Sequence, residues 1–389
     1  MQYRPIAAGE VKDFARLMRL AFGDPAALTE HYTELLGIEG YRGLFDGERM
    51  VASIGFFDDA HHFAGGAVST WGVTAVGVDP GTRGRGLSGI LLDNSIKEAA
   101  AAGPAMMTLY ASAPAVYRKV GFERAGKFIA YKGRTAQMAS SGSPTGSFRA
   151  VDPMAPETRA QLIELHRRWL PLTSGPFERR DTVWTCLLQP YDKHTDVFVW
   201  HDDADDPGAY AILHHTPGKF EVADYCVPTG QAASAMLGFL GGFRAIYSDV
   251  IWRGALVDPL IMAMNDRWWE TEQHEHWFSR IVDVRKALAQ RGYAKGVGGR
   301  VVLSVEDPVL AHNNGTFGLE VANGTASVET DGDPDGSLQL TVQSLVPLFT
   351  GLVSASRLAA MGRLDGPREA IEMADLLFIG PTPWMEEQF

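Results

Sequence analysis

The chain has 389 residues, 46% of them apolar and 21% charged, with a formal net charge of −12. This composition suits folded globular domains, and the length allows two or three of them. Two cysteines exclude a disulfide framework, no apolar run reaches the roughly 18 residues of a spanning helix, and the acidic balance disfavours nucleic acid as a partner. The N-terminus, MQYRPIAAGEVKDF, has no basic segment leading into an apolar run, so no secretory signal is read and the cytoplasm is the expected compartment. Cys186 and Cys226 sit among apolar residues and are expected to be buried thiols. The acidity is concentrated late: residues 301–389 hold three Arg, no Lys and thirteen Asp or Glu. Such a surface serves solubility or concentrates cationic substrates.

In chain order, Val11, Phe14, Met18 and Phe22 recur at helical spacing and predict a first amphipathic helix. Two β-rich runs, 41–45 and 50–57, flank Asp46-Gly47, a hairpin signal. Residues 62–78 carry one or two strands, broken at Gly65-Gly66. The segment 73–92, VTAVGVDPGTRGRGLSGILL, then reads as a strand, a glycine-rich turn and the start of a helix over 87–102. Asp79-Pro80-Gly81 ends the strand because Pro and Gly cannot continue a ladder. A helix starting on glycine exposes unpaired N–H groups at its positive dipole end. With Arg83 and Arg85 beside them, those groups form an anion site suited to a pyrophosphate. A Gly-x-Gly-x-x-Gly and a Gly-Lys-Ser/Thr are both missing, which argues against a dinucleotide fold and a P-loop.

A strand over 106–110 and a turn over 111–115 precede Val116-Tyr117-Arg118-Lys119-Val120-Gly121-Phe122. Residues 135–147, TAQMASSGSPTGS, read as a linker. Helices over about 156–169 and 180–188 and strands over 196–201, 209–215 and 220–227 follow. Pro228-Thr229-Gly230 then leads into a helix over 231–239, so strand, turn and helix recur without the arginines or the Gly-x-Gly. Trp252, Trp268, Trp269 and Trp277 make an aromatic-rich stretch suited to core or interface packing. The last third predicts strands over 301–305, 315–321, 325–330 and 338–341, then helices over 342–350, 355–360 and 367–378, an α+β pattern. His61-His62 and His214-His215 are neighbours in strands, pointing to opposite faces, so no metal site is expected. No Gly-x-Ser-x-Gly elbow supports a hydrolase.

Arg83-x-x-Gly86-x-Ser88 after a valine-rich strand resembles the acyl-CoA pyrophosphate loop of the GNAT N-acetyltransferase superfamily, with Ser88 where the pattern has Gly or Ala. Tyr117 before Gly121-Phe122 matches the tyrosine that these enzymes place near the thioester sulfur, where a phenol of pKa about 10 can protonate a departing thiolate. Over its full length the chain resembles the enhanced intracellular survival (Eis) family, through these motifs, residues 280–294, Ser356-Arg357-Leu358-Ala359 and the terminal Phe389. The resemblance implies an α/β plus α+β fold. Residues 1–140 would form a GNAT domain, 141–295 a degenerate GNAT-like domain, and 296–389 a sterol-carrier-protein-like domain.

It further implies acetyl-CoA as co-substrate, held by Val76, Val78, Arg83, Gly84, Arg85, Gly86, Leu87, Ser88 and Ser112, and no metal. Tyr117 and the α-carboxylate of Phe389 are the expected catalytic groups, acid and base respectively. Asp24, Tyr32 (or its neighbour His31), Glu387 and Gln388 are the expected substrate contacts. Gln388 stands where the family has Glu, one negative charge fewer beside an amine. The implied acceptor is a small cationic amine of aminoglycoside type and the implied assembly a homo-hexamer. Protein or peptide lysine acetylation and apolar-ligand binding are the alternatives.

Overall fold

The computed structural model describes residues 1–141, 146–216, 219–330 and 335–387. Their contacts divide them into Met1–Gly126 with His276–Pro381, and Lys127–Glu275 with Thr382–Glu387. The first unit opens with β1 (Gln2–Pro5), α1 (Val11–Phe22) and α2 (Ala26–Leu36). β2 (Tyr41–Asp46), β3 (Arg49–Phe63), β4 (Gly66–Val78), α3 (Leu87–Ala102), β5 (Met106–Tyr110) and α4 (Pro114–Arg118) follow. α1 buries Phe14, Leu17 and Met18, an i, i+3, i+4 set, and stops at Gly23, whose φ of 82° only glycine adopts cheaply. Phe22, expected on that stripe, closes the last turn and stays 49% exposed, while Leu17 fills the core position.

The β2–β3 turn falls on Gly47-Glu48, one residue later than expected, because Asp46 pairs with Arg49 and the positive φ belongs to Gly47. β3 runs past the expected 50–57 to Phe63 and returns through Ala64 and Gly65, both left-handed. β4 lies antiparallel to β3 and carries a bulge at Ala75, φ 50°, where the register shifts by one residue. Its pairing with β5 is parallel and covers only Thr70–Gly72 opposite Met106–Thr108.

The chain then enters the second unit through β6 (Glu123–Arg134), α5 (Thr135–Ser141), β7 (Ser147–Val151), α6 (Pro156–Trp169) and α7 (Asp181–Leu188). β8 (His194–His201), β9 (Pro207–Thr216), β10 (Lys219–Cys226), α8 (Gly230–Gly241), β11 (Asp249–Gly254), α9 (Pro259–Ala263) and β12 (Trp269–Ile281) complete it, the end of β12 belonging to the first unit. Strand order within the second unit is β6-β11-β10-β9-β8-β7. Antiparallel β8, β9 and β10 precede a parallel β10–β11 step across α8, as β2, β3 and β4 precede the β4–β5 step across α3. The repeat of strands, turn and helix read from the sequence is therefore present.

Thr135–Ser141, expected within the linker, is helical: Met138 is buried, and Thr135 Oγ1 donates to Tyr247 O at 2.6 Å. Small side chains signalled a linker because they permit close helix packing; an added Cβ at Gly241 would stand 2.3 Å from Ala139 N. Residues 142–145 of that stretch lie outside the described residues. Trp252 and Trp277 are fully buried and supply core, not interface. Cys226 is buried as expected; Cys186 is half-buried, and burial still pushes its thiol up to about 11.

The first unit resumes with the end of β12, whose Trp277–Ile281 pair antiparallel with β5. α10 (Val284–Gln290), β13 (Gly299–Glu306), β14 (Gly315–Ala322), β15 (Thr325–Thr330), β16 (Leu338–Thr341), α11 (Val342–Thr350), α12 (Ala355–Ala360), β17 (Leu364–Asp365) and α13 (Arg368–Leu377) complete the described elements. The order β15-β14-β13-β16-β17 forms one sheet, matching the expected four strands and adding a short fifth. Among the described residues no helix is long and apolar enough to cross a membrane.

Candidate functional site

β4 ends at Asp79, whose buried carboxylate accepts from Gly81 N at 2.9 Å and pairs with Arg49 at 2.7 Å and Arg16 at 3.5 Å. The Arg49 hydrogen bond holds its pKa below the usual carboxylate range. Gly84 (φ 81°) and Gly86 (φ 73°) carry the turn, and a Cβ at either would meet nothing within 4 Å. Backbone conformation, not crowding, therefore requires glycine here. Gly86 caps α3 with no side chain, leaving the N–H groups of Leu87 and Ser88 without intrahelical acceptors. Arg83 and Arg85 are exposed beside them; Arg85 makes a loose surface pair with Asp46 at 3.4 Å, and Arg83 pairs with no described residue. A surface pair of this kind is weak enough to yield to a multivalent anion.

Among the described residues no strand pairs with the β4 edge facing β5 beyond Gly72, so β4 and β5 separate next to this loop. Separation there leaves backbone donors and acceptors for an extended amide chain to pair as an added strand. Val76 and Val78 pack on the same apolar cluster as Leu87 and Tyr117, so four of the expected residues meet in one place. Ser112 is exposed just after β5.

Tyr117 sits on α4, which Pro114 opens at its first turn. Its ring packs edge-on against Phe122 with centroids 5.8 Å apart and is 5% exposed. Burial pushes its phenol up to about 12, so it is a proton donor at neutral pH. No described residue hydrogen-bonds its hydroxyl.

The turn behind Tyr117 rests on a residue that no local pattern revealed as supporting. Arg280, fully buried on β12, donates to Val120 O at 2.9 Å and to both Asp307 oxygens at 2.7 and 2.6 Å. Gly121 (φ 94°) leaves room for it: a Cβ there would stand 2.5 Å from Arg280 Nε. Arg280→Met strands a buried carboxylate and is expected to cost about 3–5 kcal/mol, read as a lower midpoint in urea unfolding. An unchanged midpoint would show that Asp307 and Val120 find other partners.

Asp24, between α1 and α2, is half-buried, and burial raises its carboxyl. Tyr32 lies on α2 edge-to-face with His31, centroids 5.0 Å apart. Neither belongs to the Tyr117 cluster. Glu387 lies in the second unit, with Oε1 2.7 Å from Arg179 Nε. Gln388 and Phe389 lie outside the described residues. His61 stacks on Trp277 at 5.0 Å; His214 Nε2 lies 3.1 Å from Leu187 O, while His215 pairs with Asp196 at 3.2 Å.

The matching turn of the second unit differs physically. Thr229 caps α8 there, its Oγ1 accepting from Ala232 N at 3.1 Å. The side chain occupies a donor of the kind that the glycine cap of α3 leaves open, so this turn offers an anion one backbone N–H fewer.

Residues 2–125 and 175–285 each match a family profile described as "Acetyltransferase (GNAT) domain", and residues 284–386 one described as "Sterol carrier protein domain". An uncharacterised N-acetyltransferase of Streptomyces coelicolor is 26% identical over 405 residues, covering 95% of both chains. N-acetyltransferase Eis of Mycobacterium tuberculosis is 26% identical over 336 residues, covering 81% of this chain and 79% of its own. A GCN5-related N-acetyltransferase from Anabaena variabilis superposes with a TM-score of 0.94 at 25% identity, over 100% of both chains. Eis1 from Mycobacterium abscessus shares the fold, with a TM-score of 0.81 at 22% identity over 100% of both chains.

Proposed function

Because the chain belongs to the Eis-like GNAT N-acetyltransferases, with a sterol-carrier-like C-terminal domain, we propose that it acetylates amines of a cationic small molecule of aminoglycoside type, directly from acetyl-CoA. The observation that carries this reading is the unpaired edge of β4 at Val73–Val78 beside the glycine turn, with the free Tyr117 hydroxyl in the same cluster. In it, Arg83, Arg85 and the N–H groups over Gly84–Ser88 hold the pyrophosphate, with Leu87 packing beneath the turn. Val76 and Val78 pair with the pantetheine arm, and Ser112 borders it. The Tyr117 hydroxyl gives its proton to the departing thiolate. By the family resemblance Asp24, Tyr32, Glu387 and Gln388 receive the ammonium, and the Phe389 carboxylate takes its proton so that a neutral amine attacks. The family resemblance supports a cytoplasmic homo-hexamer, which light scattering at micromolar concentration would register as about six chain masses; a monomer would refute it.

Gly86→Val forces a branched residue into a left-handed position, at a strain of order 1–3 kcal/mol, and puts a side chain over the N–H groups. Acetyl-CoA binding by calorimetry is expected to vanish while the melting temperature falls by a few degrees at most. Undiminished binding would sink the coenzyme assignment. Release of free CoA against polyamine, aminoglycoside and lysine-peptide acceptors then selects the substrate class, turnover of peptides alone pointing to protein acetylation.

A further inference from the structure

The tail Thr382–Glu387 belongs to the second unit, far along the sequence from the rest of it. Lys127 N donates to Pro383 O at 3.3 Å and Trp384 N to Ser174 O at 2.9 Å. Trp384 is buried edge-on against Trp169, centroids 5.7 Å apart, and Met385 is buried beside it in sequence. Gly175 has φ 105°, and a Cβ there would stand 2.0 Å from the Trp384 carbonyl oxygen, so only glycine lets the tail pass. Beyond Met385 the chain sets two consecutive carboxylates into the interior. Arg179 meets both: Nε donates to Glu387 Oε1 at 2.7 Å, and NH2 lies 3.4 Å from Glu386 Oε2. The same guanidinium forks onto Asp224 of β10, with NH2 3.0 Å from Oδ1 and NH1 on Oδ2, and lies 5.1 Å over the Trp184 ring. Tyr210 OH on β9 donates to Asp224 at 2.8 Å.

We propose that Arg179 is a positioning residue for the chain terminus, a buried anchor that grips Glu386 and Glu387 two residues before the chain ends. This rests on the reading that the Phe389 carboxylate is the base. Such a base needs placement to within a hydrogen-bond length, about 2.6–3.2 Å, which a free tail cannot provide.

Three carboxylates around one guanidinium cannot all be ionised away from water. Burial first, then the Asp224 charge, push Glu386 well above the usual carboxylate range, and it donates its proton to Asp224. Burial opposes the charge on Asp224, but Arg179 overrides it and holds its pKa down. The other titratable groups facing the cluster are Tyr210, Tyr225 and Cys226, all pushed up by burial, and His166 on α6. A carboxyl whose folded pKa is raised stabilises the fold below its unfolded value and loses that contribution as pH rises through the folded one. The anchored tail should therefore loosen as pH rises above the ordinary carboxylate range.

Carboxypeptidase release of Phe389, followed by mass spectrometry alongside steady-state kinetics, tests the anchor on the full-length protein. Arg179→Met is expected to speed release by on the order of a hundredfold or more, the scale of breaking a buried pair. Gly175→Ala should do the same from the other side of the tail without touching a charge, and it covers the case in which Arg179→Met fails to fold. Glu386→Gln, which donates without titrating, should remove the rise in release with pH that the unaltered protein shows. Release unchanged in a folded Arg179→Met or Gly175→Ala variant would overturn the anchor. Faster release with kcat unchanged would leave the anchor standing and overturn the base assignment.

Discussion

Tyr117→Phe is expected to lower kcat by on the order of 10²–10⁴-fold, the range that a positioned general acid supplies. The substitution removes one oxygen and little volume, and the ring stays seated against Phe122. No described residue hydrogen-bonds the hydroxyl, so its loss strands no buried partner, and the melting temperature should hold or rise slightly. Acetyl-CoA affinity should also hold, because the turn proposed to hold its pyrophosphate opens α3 and not α4. With its phenol pushed up to about 12, Tyr117 stays protonated across the working range. Any acid limb in the pH–rate profile must then come from the amine or the base, and should persist in the variant. A loss confined to KM would reduce Tyr117 to a binding residue.

Deleting Phe389 is expected to collapse turnover on a similar scale, on the order of 10²–10⁴-fold, with acetyl-CoA affinity preserved. Truncation moves the carboxylate back by one residue, about 3.5 Å, beyond hydrogen-bond reach. An anchored tail, with Trp384 and Met385 buried and Glu387 on Arg179, gives no slack to recover that distance. A C-terminal extension should act alike by a different route, replacing the charge with a neutral amide. Because an α-carboxylate titrates near 3.3–3.7, the base should stay competent down to about pH 4. Full activity in a tagged or truncated protein would return the role of base to an internal carboxylate or a water.

The glycine turn after β4 was legible because its signals are local. Two glycines at left-handed positions, a strand-ending Asp-Pro-Gly and flanking arginines are read off adjacent residues, and the backbone adopts what they allow. The last sheet was equally legible, its strands alternating and its turns carrying Asn-Gly and Asp-Gly. β12 was not: after Trp269, ETEQHEH is polar on both faces, since that part of the strand is largely exposed, and periodicity fails where nothing is buried. The helix Thr135–Ser141 was missed for a related reason, its small residues serving close packing while looking like a linker.

The sequence by itself determined the superfamily, the order of the domains and the glycine turn between β4 and α3, because φ preference and hydrophobic period act over a few neighbours. Only the tertiary structure decided which charges are buried and what holds them. Arg280 finds Asp307 across 27 positions, and Arg179 finds Asp224 across 45 and Glu387 across 208. An arginine in a sequence looks the same whether it faces water or a buried carboxylate. The cost of desolvating a charge selects its partner, and that cost exists only once the chain has folded around it.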